Sequence, residues 1–241
     1  MLNLYVRKDL NMRKGKMAAQ SGHAGMKLFL NAMKHKHNKL VLEVCHKKSI
    51  EQFVKKPEMM ISMVSDETSL DCAVDMDKPN AFIIDHGRTE FNGVLTKTCA
   101  AEGLFTVKDE PYGYEPSDYE SGIKAKQILV FSKEFPLSKE NACFMAVAGC
   151  INMLYMQCDK SHEQPEIDLA NGSDLAAWLS GAFAKISLSV KTDEELNVLQ
   201  KQLKENGIQS LLIGKAENKM LIIEPLQAEK IDPFTRSLSL I

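Results

Sequence analysis

The chain has 241 residues, with 30 Lys and Arg against 32 Asp and Glu, a net charge of −2 and 44% apolar residues. The apolar share supports real cores, the length suits two domains of ordinary size, and no stretch approaches the roughly 18 unbroken apolar residues that span a bilayer. Six cysteines, at 45, 72, 99, 143, 150 and 158, form no Cys-x-x-Cys pair and read as reduced, mostly buried thiols.

The charge is unevenly spread. Residues 1–56 hold 13 Lys and Arg against three acids, Asp9, Glu43 and Glu51, a net +10, while the remainder carries −12. A basic end of this kind suits a polyphosphate partner. With Arg7 and Lys8 in its first strand the N-terminus lacks a signal-peptide pattern, so a cytoplasmic protein that does not enter membranes is expected.

The first predicted element is a strand, Leu4-Tyr5-Val6-Arg7, followed by a basic segment that enters a helix, Arg13-Lys14-Gly15-Lys16-Met17-Ala18-Ala19-Gln20-Ser21-Gly22-His23-Ala24. At 3.6 residues per turn Lys16, Gln20 and His23 share one face, and the small residues around them admit a second backbone or a ligand. His35 and His37, two apart, would lie on different faces of a helix and make a poor metal pair. Segment 57–80, with four methionines, has no clear element boundaries. The run Ala81-Phe82-Ile83-Ile84 then reads as a buried strand stopping at the turn Asp85-His86-Gly87-Arg88-Thr89-Glu90, which places a carboxylate and a hydroxyl at a strand end, where α/β sheets gather their sites.

Residues 108–125, rich in Pro, Gly, Ser and acids, read as a linker. Beyond it, the strand Gln127-Ile128-Leu129-Val130-Phe131 and an apolar helix to Met156 echo the opening of the chain at a displacement of 125. At that displacement Lys16 becomes Asn141, Gln20 becomes Met145 and His23 becomes Ala148, so the polar face is erased. Trp178 through Lys185 lead into the alternating strand Ile186-Ser187-Leu188-Ser189-Val190, a helix from Asp193 to about Asn206-Gly207, strands over 210–213 and 220–225, and a tail at 230–235. His46 and His162 have no visible partners.

Three motifs, Gly15-Lys16-Met17-Ala18-Ala19-Gln20-Ser21-Gly22-His23-Ala24, Asp85-His86-Gly87-Arg88-Thr89 and Gly93-Val94-Leu95-Thr96, together resemble the type 2 peptidyl-tRNA hydrolases, with His86 in place of the usual Ala. The second half resembles the same family in its scaffold, but carries Gly214-Lys215-Ala216-Glu217-Asn218 where the family has Asp-Ala-Gly-Arg-Thr. The resemblance implies a tandem arrangement: a domain over 1–107 with its site motifs intact, a linker over 108–125, and a degenerate repeat over 126–241. The expected fold is α/β, two related three-layer α/β/α domains, each a small mixed sheet of about four strands flanked by helices. Family members commonly pair as homodimers, so the implied assembly is a monomeric pseudo-dimer or a homodimer.

The activity so implied is hydrolysis of the ester joining a peptide or N-blocked amino acid to tRNA, with no metal or other cofactor. Asp85 and His23 are rival candidates for the base. Lys16 is expected to stabilise the oxyanion or grip the terminal phosphate, and Gln20, Thr89 and Thr96 to fix water, ribose or carbonyl. Arg88 would hold Asp85 or contact RNA, and Arg7, Lys8, Arg13 and Lys14 would bind the tRNA backbone. The alternatives are a non-catalytic tRNA-, nucleotide- or protein-binding module on the same fold, or hydrolysis of a related acyl ester or amide on another carrier.

Overall fold

A computed structural model of the protein describes residues 1–87, 90–105, 125–169, 173–181, 183–215 and 217–241. The expectations for Arg88, Thr89 and linker residues 108–124 lie outside the described residues. Strand β1 (Leu2–Arg7) leads into helix α1 (Lys14–Asn31) as the pattern predicts. The next segment differs from the sequence reading: β2 (Met33–Lys36) and β3 (Lys39–Leu42) form a hairpin, with His35 on the strand and His37 in the turn at φ 57°. Then follow α2 (Val44–Lys55), β4 (Met59–Val64), α3 (Glu67–Ala73), β5 (Asn80–Asp85) and β6 (Thr96–Glu102). The unassigned segment 57–80 thus supplies a strand and a short helix. Because β6 begins at Thr96, Gly93-Val94-Leu95 belong to the loop.

The second half runs β7 (Ala125–Ser132), α4 (Lys139–Met156), β8 (Glu166–Asp168), α5 (Asp174–Ser180), β9 (Ala184–Val190), α6 (Asp193–Glu205), β10 (Ser210–Lys215), β11 (Asn218–Gln227), α7 (Ala228–Thr235) and β12 (Ser239–Leu240). Ala125, placed in the linker by composition, already pairs in β7. The first sheet has the order β4-β1-β6-β5, and the second has β9-β7-β11-β10 with β12 added at the β9 edge. In both, the central strand runs parallel to one neighbour and antiparallel to the other. The fold is therefore α/β, built on small mixed sheets flanked by helices. A third sheet, β2-β3-β8, joins the hairpin of the first half to a strand of the second.

Burial explains the layering. Leu70 and Val74 pack α3 onto Tyr5 and Ala100 on the outer face of the first sheet, and Leu196, Leu199 and Ile231 pack α6 and α7 onto Ile128 and Val130 of the second. Helices α1 and α4 lie between the inner faces, and one apolar core, including Leu4, Phe29, Phe131 and Met220, runs through both halves. Four cysteines are buried, while Cys45 and Cys72 are exposed.

Helices α1 and α4 have 18 residues each and begin 125 positions apart. They meet through glycines: a Cβ on Gly22 would lie 2.8 Å from Cys150 Sγ, and one on Gly25 would lie 2.7 Å from Val147 Cγ1. A displacement of 125 carries Gly22 onto Val147 and Gly25 onto Cys150, so the two contacts exchange, as they do across a two-fold axis. Packing this close leaves no room for a side chain. Gly25→Val is expected to lower stability by about 1–3 kcal/mol in urea unfolding, with part of the loss recovered when Val147→Ala is added.

Candidate active site

Asp85 stands at the C-terminal end of β5, opposite Thr96 of β6. Its carboxylate is held on both oxygens. Lys16 forms an ion pair with Oδ2, the Gln20 amide donates to the same oxygen at 2.6 Å, and the Gly87 N–H donates to Oδ1 at 2.7 Å. Lys16 and Gln20, one turn apart on α1, therefore converge as the spacing predicts. A carboxylate can only accept, so Asp85 fixes the Gln20 amide with its nitrogen toward the carboxylate and its oxygen toward β6.

That oxygen meets a residue the motifs did not mark. Thr98, fully buried on β6, donates from Oγ1 to Gln20 Oε1 at 3.1 Å. Thr98 is the extra residue where the β5–β6 register shifts between Ile83 and Ile84, and that bulge turns it toward α1. Regular alternation would place Thr96 and Thr98 on one face, so the run Thr96-Lys97-Thr98 did not say which threonine meets the helix. Thr96, the expected site residue, instead donates to the carbonyl of Val94 in its own loop at 3.0 Å.

The loop beside Asp85 is tight. Phe91, Asn92 and Gly93 take φ values of 68°, 51° and 78° in succession, and Gly93 N–H donates to the Gly87 carbonyl at 3.0 Å. Left-handed conformations at two consecutive non-glycine residues cost free energy, and such outliers collect at functional sites. They set the Phe91 ring 5.8 Å from the Lys16 ammonium, inside cation–π range.

The expected cationic residues separate into two groups. Arg13 and Lys14 are exposed at the start of α1, with Arg13 paired to Glu90 at 2.9 Å, and Lys8 is exposed after β1. Arg7 is different: it is 8% exposed, makes two bonds to Asp9, and reaches Glu67 and the Lys97 carbonyl. The Asp9 hydrogen bond raises its pKa further, and its guanidinium braces β1 within the fold.

Helix α1 has no side-chain cap, and Lys14 and Lys16 occupy its first turn. Helix α4, its counterpart, is capped by Ser138, whose Oγ accepts from Asn141 N–H at 3.0 Å, and carries Glu140 in its first turn. Positive charge at an uncapped helix N-terminus is unfavourable for the helix alone and favourable toward an anion. Only the half with the polar face has this arrangement.

His23 lies on the predicted face but meets the second half. Its Nδ1 is 3.4 Å from Lys185 Nζ and its ring centroid is 5.1 Å from that of Phe183. Burial, then the charges of Lys185 and Lys16, push its pKa well below the usual value, and burial pushes Lys185 down to about 7. His46, without a visible partner in the sequence, is buried edge-on to Phe105 at 4.8 Å.

Among the described residues one group of side chains has metal-ligand chemistry: Asp159, His162 and Glu166 bring ligand atoms within 4.8 Å of one another. They lie at the surface on the second half, and Glu166 is already paired with Lys39. None of them contributes to the Asp85 constellation.

Two outcomes follow from these contacts. Thr98→Val is expected to cost about 1–3 kcal/mol in chemical unfolding, because Gln20 Oε1 loses its buried donor, whereas Thr96→Val should change stability by no more than about 0.5 kcal/mol. For His23, the unfolded chain takes up the proton near pH 6.5, before the folded one does. The stability this group contributes is full above that pH and is lost as the pH falls below it. Urea midpoints measured between about pH 5 and 6.5 should fall less steeply for His23→Gln than for the wild type.

The family model described as Peptidyl-tRNA hydrolase PTH2 matches residues 1–105 and 125–241, covering both halves in keeping with a tandem arrangement. No curated protein matches the chain. No helix among the described residues is long and apolar enough to cross a membrane. The matched residues take in β1, α1, Asp85 and the corresponding elements of the second half, and the chain belongs to the peptidyl-tRNA hydrolase PTH2 family.

Proposed function

We propose that the protein hydrolyses the ester between a peptide, or an N-blocked amino acid, and tRNA, acting in the cytoplasm without a metal and with its chemistry confined to the first half. The observation that carries this reading is the Asp85 carboxylate held by Lys16, Gln20 and the Gly87 N–H at a strand end. Asp85 orients a water and takes its proton as the oxygen adds to the ester carbonyl carbon. Lys16, the nearest cation, stabilises the oxyanion that forms. Collapse of the tetrahedral intermediate breaks the bond to the ribose oxygen. The proton returns to that oxygen, giving a free tRNA 3′ end and a carboxylic acid.

Electrostatics support the carrier. The uncapped start of α1, with Arg13, Lys14 and Lys16, and the exposed Lys8 offer a cationic surface beside the carboxylate. The second half then serves as a built-in partner, so that one chain forms a pseudo-dimer over the repeats 1–107 and 126–241. Its α4 has Met145 in the place of Gln20, and Met145 is buried under Gly214.

The direct test is release of an N-blocked aminoacyl group from tRNA by the purified protein with chelator present. Turnover is expected for the wild type, with losses of about 100-fold or more in Asp85→Ala and Lys16→Ala that remain folded. Salt-sensitive tRNA binding with no turnover would overturn the hydrolase in favour of a binding module.

A further inference from the structure

Strand β9 of the second half runs along α1, as β4 of the first half runs along α4. Their inward positions differ in chemistry. Registered against their central strands, Leu2 opposite Met59 and Gln127 opposite Lys185, the inward residues of β4 are Met59, Ile61 and Met63, and those of β9 are Lys185, Ser187 and Ser189. The strand facing the apolar helix is apolar, and the strand facing the polar helix is polar. Ser187 Oγ donates to the Gly15 carbonyl at 2.9 Å, and two residues earlier Lys185 meets His23.

The Lys185 amine is enclosed by aromatic rings. Its Nζ lies 4.1 Å from the Phe183 centroid and 4.3 Å from that of Trp178, whose indole N–H is itself anchored on the Ala184 carbonyl at 2.8 Å. The ring faces of Phe183 and Trp178 favour the charged form of Lys185. In that form the ammonium donates and cannot accept, so Nδ1 of His23 presents its lone pair to it and the ring proton sits on Nε2. A second proton on the imidazole would place two cations in contact.

We propose that Lys185, supplied by the second half, is a positioning residue for the site on α1: it holds His23 as the neutral imidazole protonated on Nε2, so that His23 meets the substrate as a hydrogen-bond donor and leaves the base's role to Asp85. The proposal rests on the hydrolase reading for the word substrate, and on geometry alone for the pair. The titratable groups that act on the pair are Lys16 on α1, Cys150 on α4 and Lys185 itself on β9, with no carboxylate among them. Each cation disfavours a charge on His23, and burial acts in the same sense on both partners. His23 stands seven residues from Lys16, about 10 Å along the helix, so its Nε2–H serves a part of the substrate away from the scissile ester.

Lys185→Met separates positioning from packing, because methionine fills an aromatic cage without a charge to bury. The variant should be at least as stable as the wild type, whereas a purely structural lysine would show a loss. Nitrogen-15 NMR of the His23 imidazole should give the Nε2–H tautomer in the wild type with its titration displaced well below the usual range, and in Lys185→Met a mixture of tautomers titrating at higher pH than in the wild type. kcat/KM for N-blocked aminoacyl-tRNA should fall about tenfold, mainly through KM, and Lys185→Arg should restore both the tautomer and KM. An unchanged tautomer in Lys185→Met overturns the proposal, as does a changed tautomer with unchanged kcat/KM. An inactive wild type overturns the hydrolase reading instead, and the imidazole spectra then still decide whether Lys185 governs His23.

Discussion

The ion pair between Lys16 and Asp85 ties the inner helix of the first half to the end of its edge strand, and the neighbouring contacts are arranged around it. Both side chains are largely buried, 14% and 10% exposed, so neither charge is supported mainly by water. Removing one member of a buried pair leaves the other uncompensated, at a cost of about 3–5 kcal/mol. Gln20 and Gly87 add two donors to the carboxylate and Thr98 supplies one to Gln20, so the polar groups are partnered where the apolar core surrounds them, while Oδ1, with the Gly87 N–H alone, keeps an acceptor position for a water. An inner helix can carry polar residues only under that condition. Where it fails, as on α4, the positions are the apolar Met145 and Ala148.

Close packing sets the second constraint. With Gly22 and Gly25 against Cys150 and Val147, α1 has little freedom to shift along α4, and the site residues on it are held relative to the second half as well as to their own sheet. Ser187 on Gly15 and Lys185 on His23 extend that hold over two turns of α1. The second half therefore contributes to the site by fixing the helix that bears it, although its own polar face is gone.

Much of this was legible from residue order. The displacement of 125 between the helices, the shared face of Lys16 and Gln20, and the loss of their counterparts in the second half follow from local periodicity and motif spacing, while Asp85 joined them only through the resemblance to the family. What escaped depends on partners distant in the chain. Met33-Lys34-His35-Lys36 has no strand alternation, and it becomes a strand because β3 pairs with it and β8, more than 120 residues on, pairs with β3. Arg7 reads as a surface cation until Glu67 and the Lys97 carbonyl are placed beside it. Thr98 and Lys185 carry no motif, and their roles exist only through the side chain each one faces. Local patterns specify elements and faces; burial of a polar group is decided by its partner, which local patterns do not name.

The asymmetry of β4 and β9 bears on why a fused chain differs from a pair of identical subunits. In a homodimer every substitution appears on both sides of the two-fold axis, so a lysine placed opposite one imidazole is also placed opposite its symmetry mate. Here the register sets Met59 in the position of Lys185, and Ala148 in the position of His23, so the polar contact is made once and its counterpart is free to be apolar. The cost of a partly buried amine is thereby incurred at one place, against His23, and avoided at the other, where the facing positions are apolar. A single chain permits its two halves to differ, and the inner faces of β4 and β9 do so residue by residue: Met59, Ile61 and Met63 against Lys185, Ser187 and Ser189.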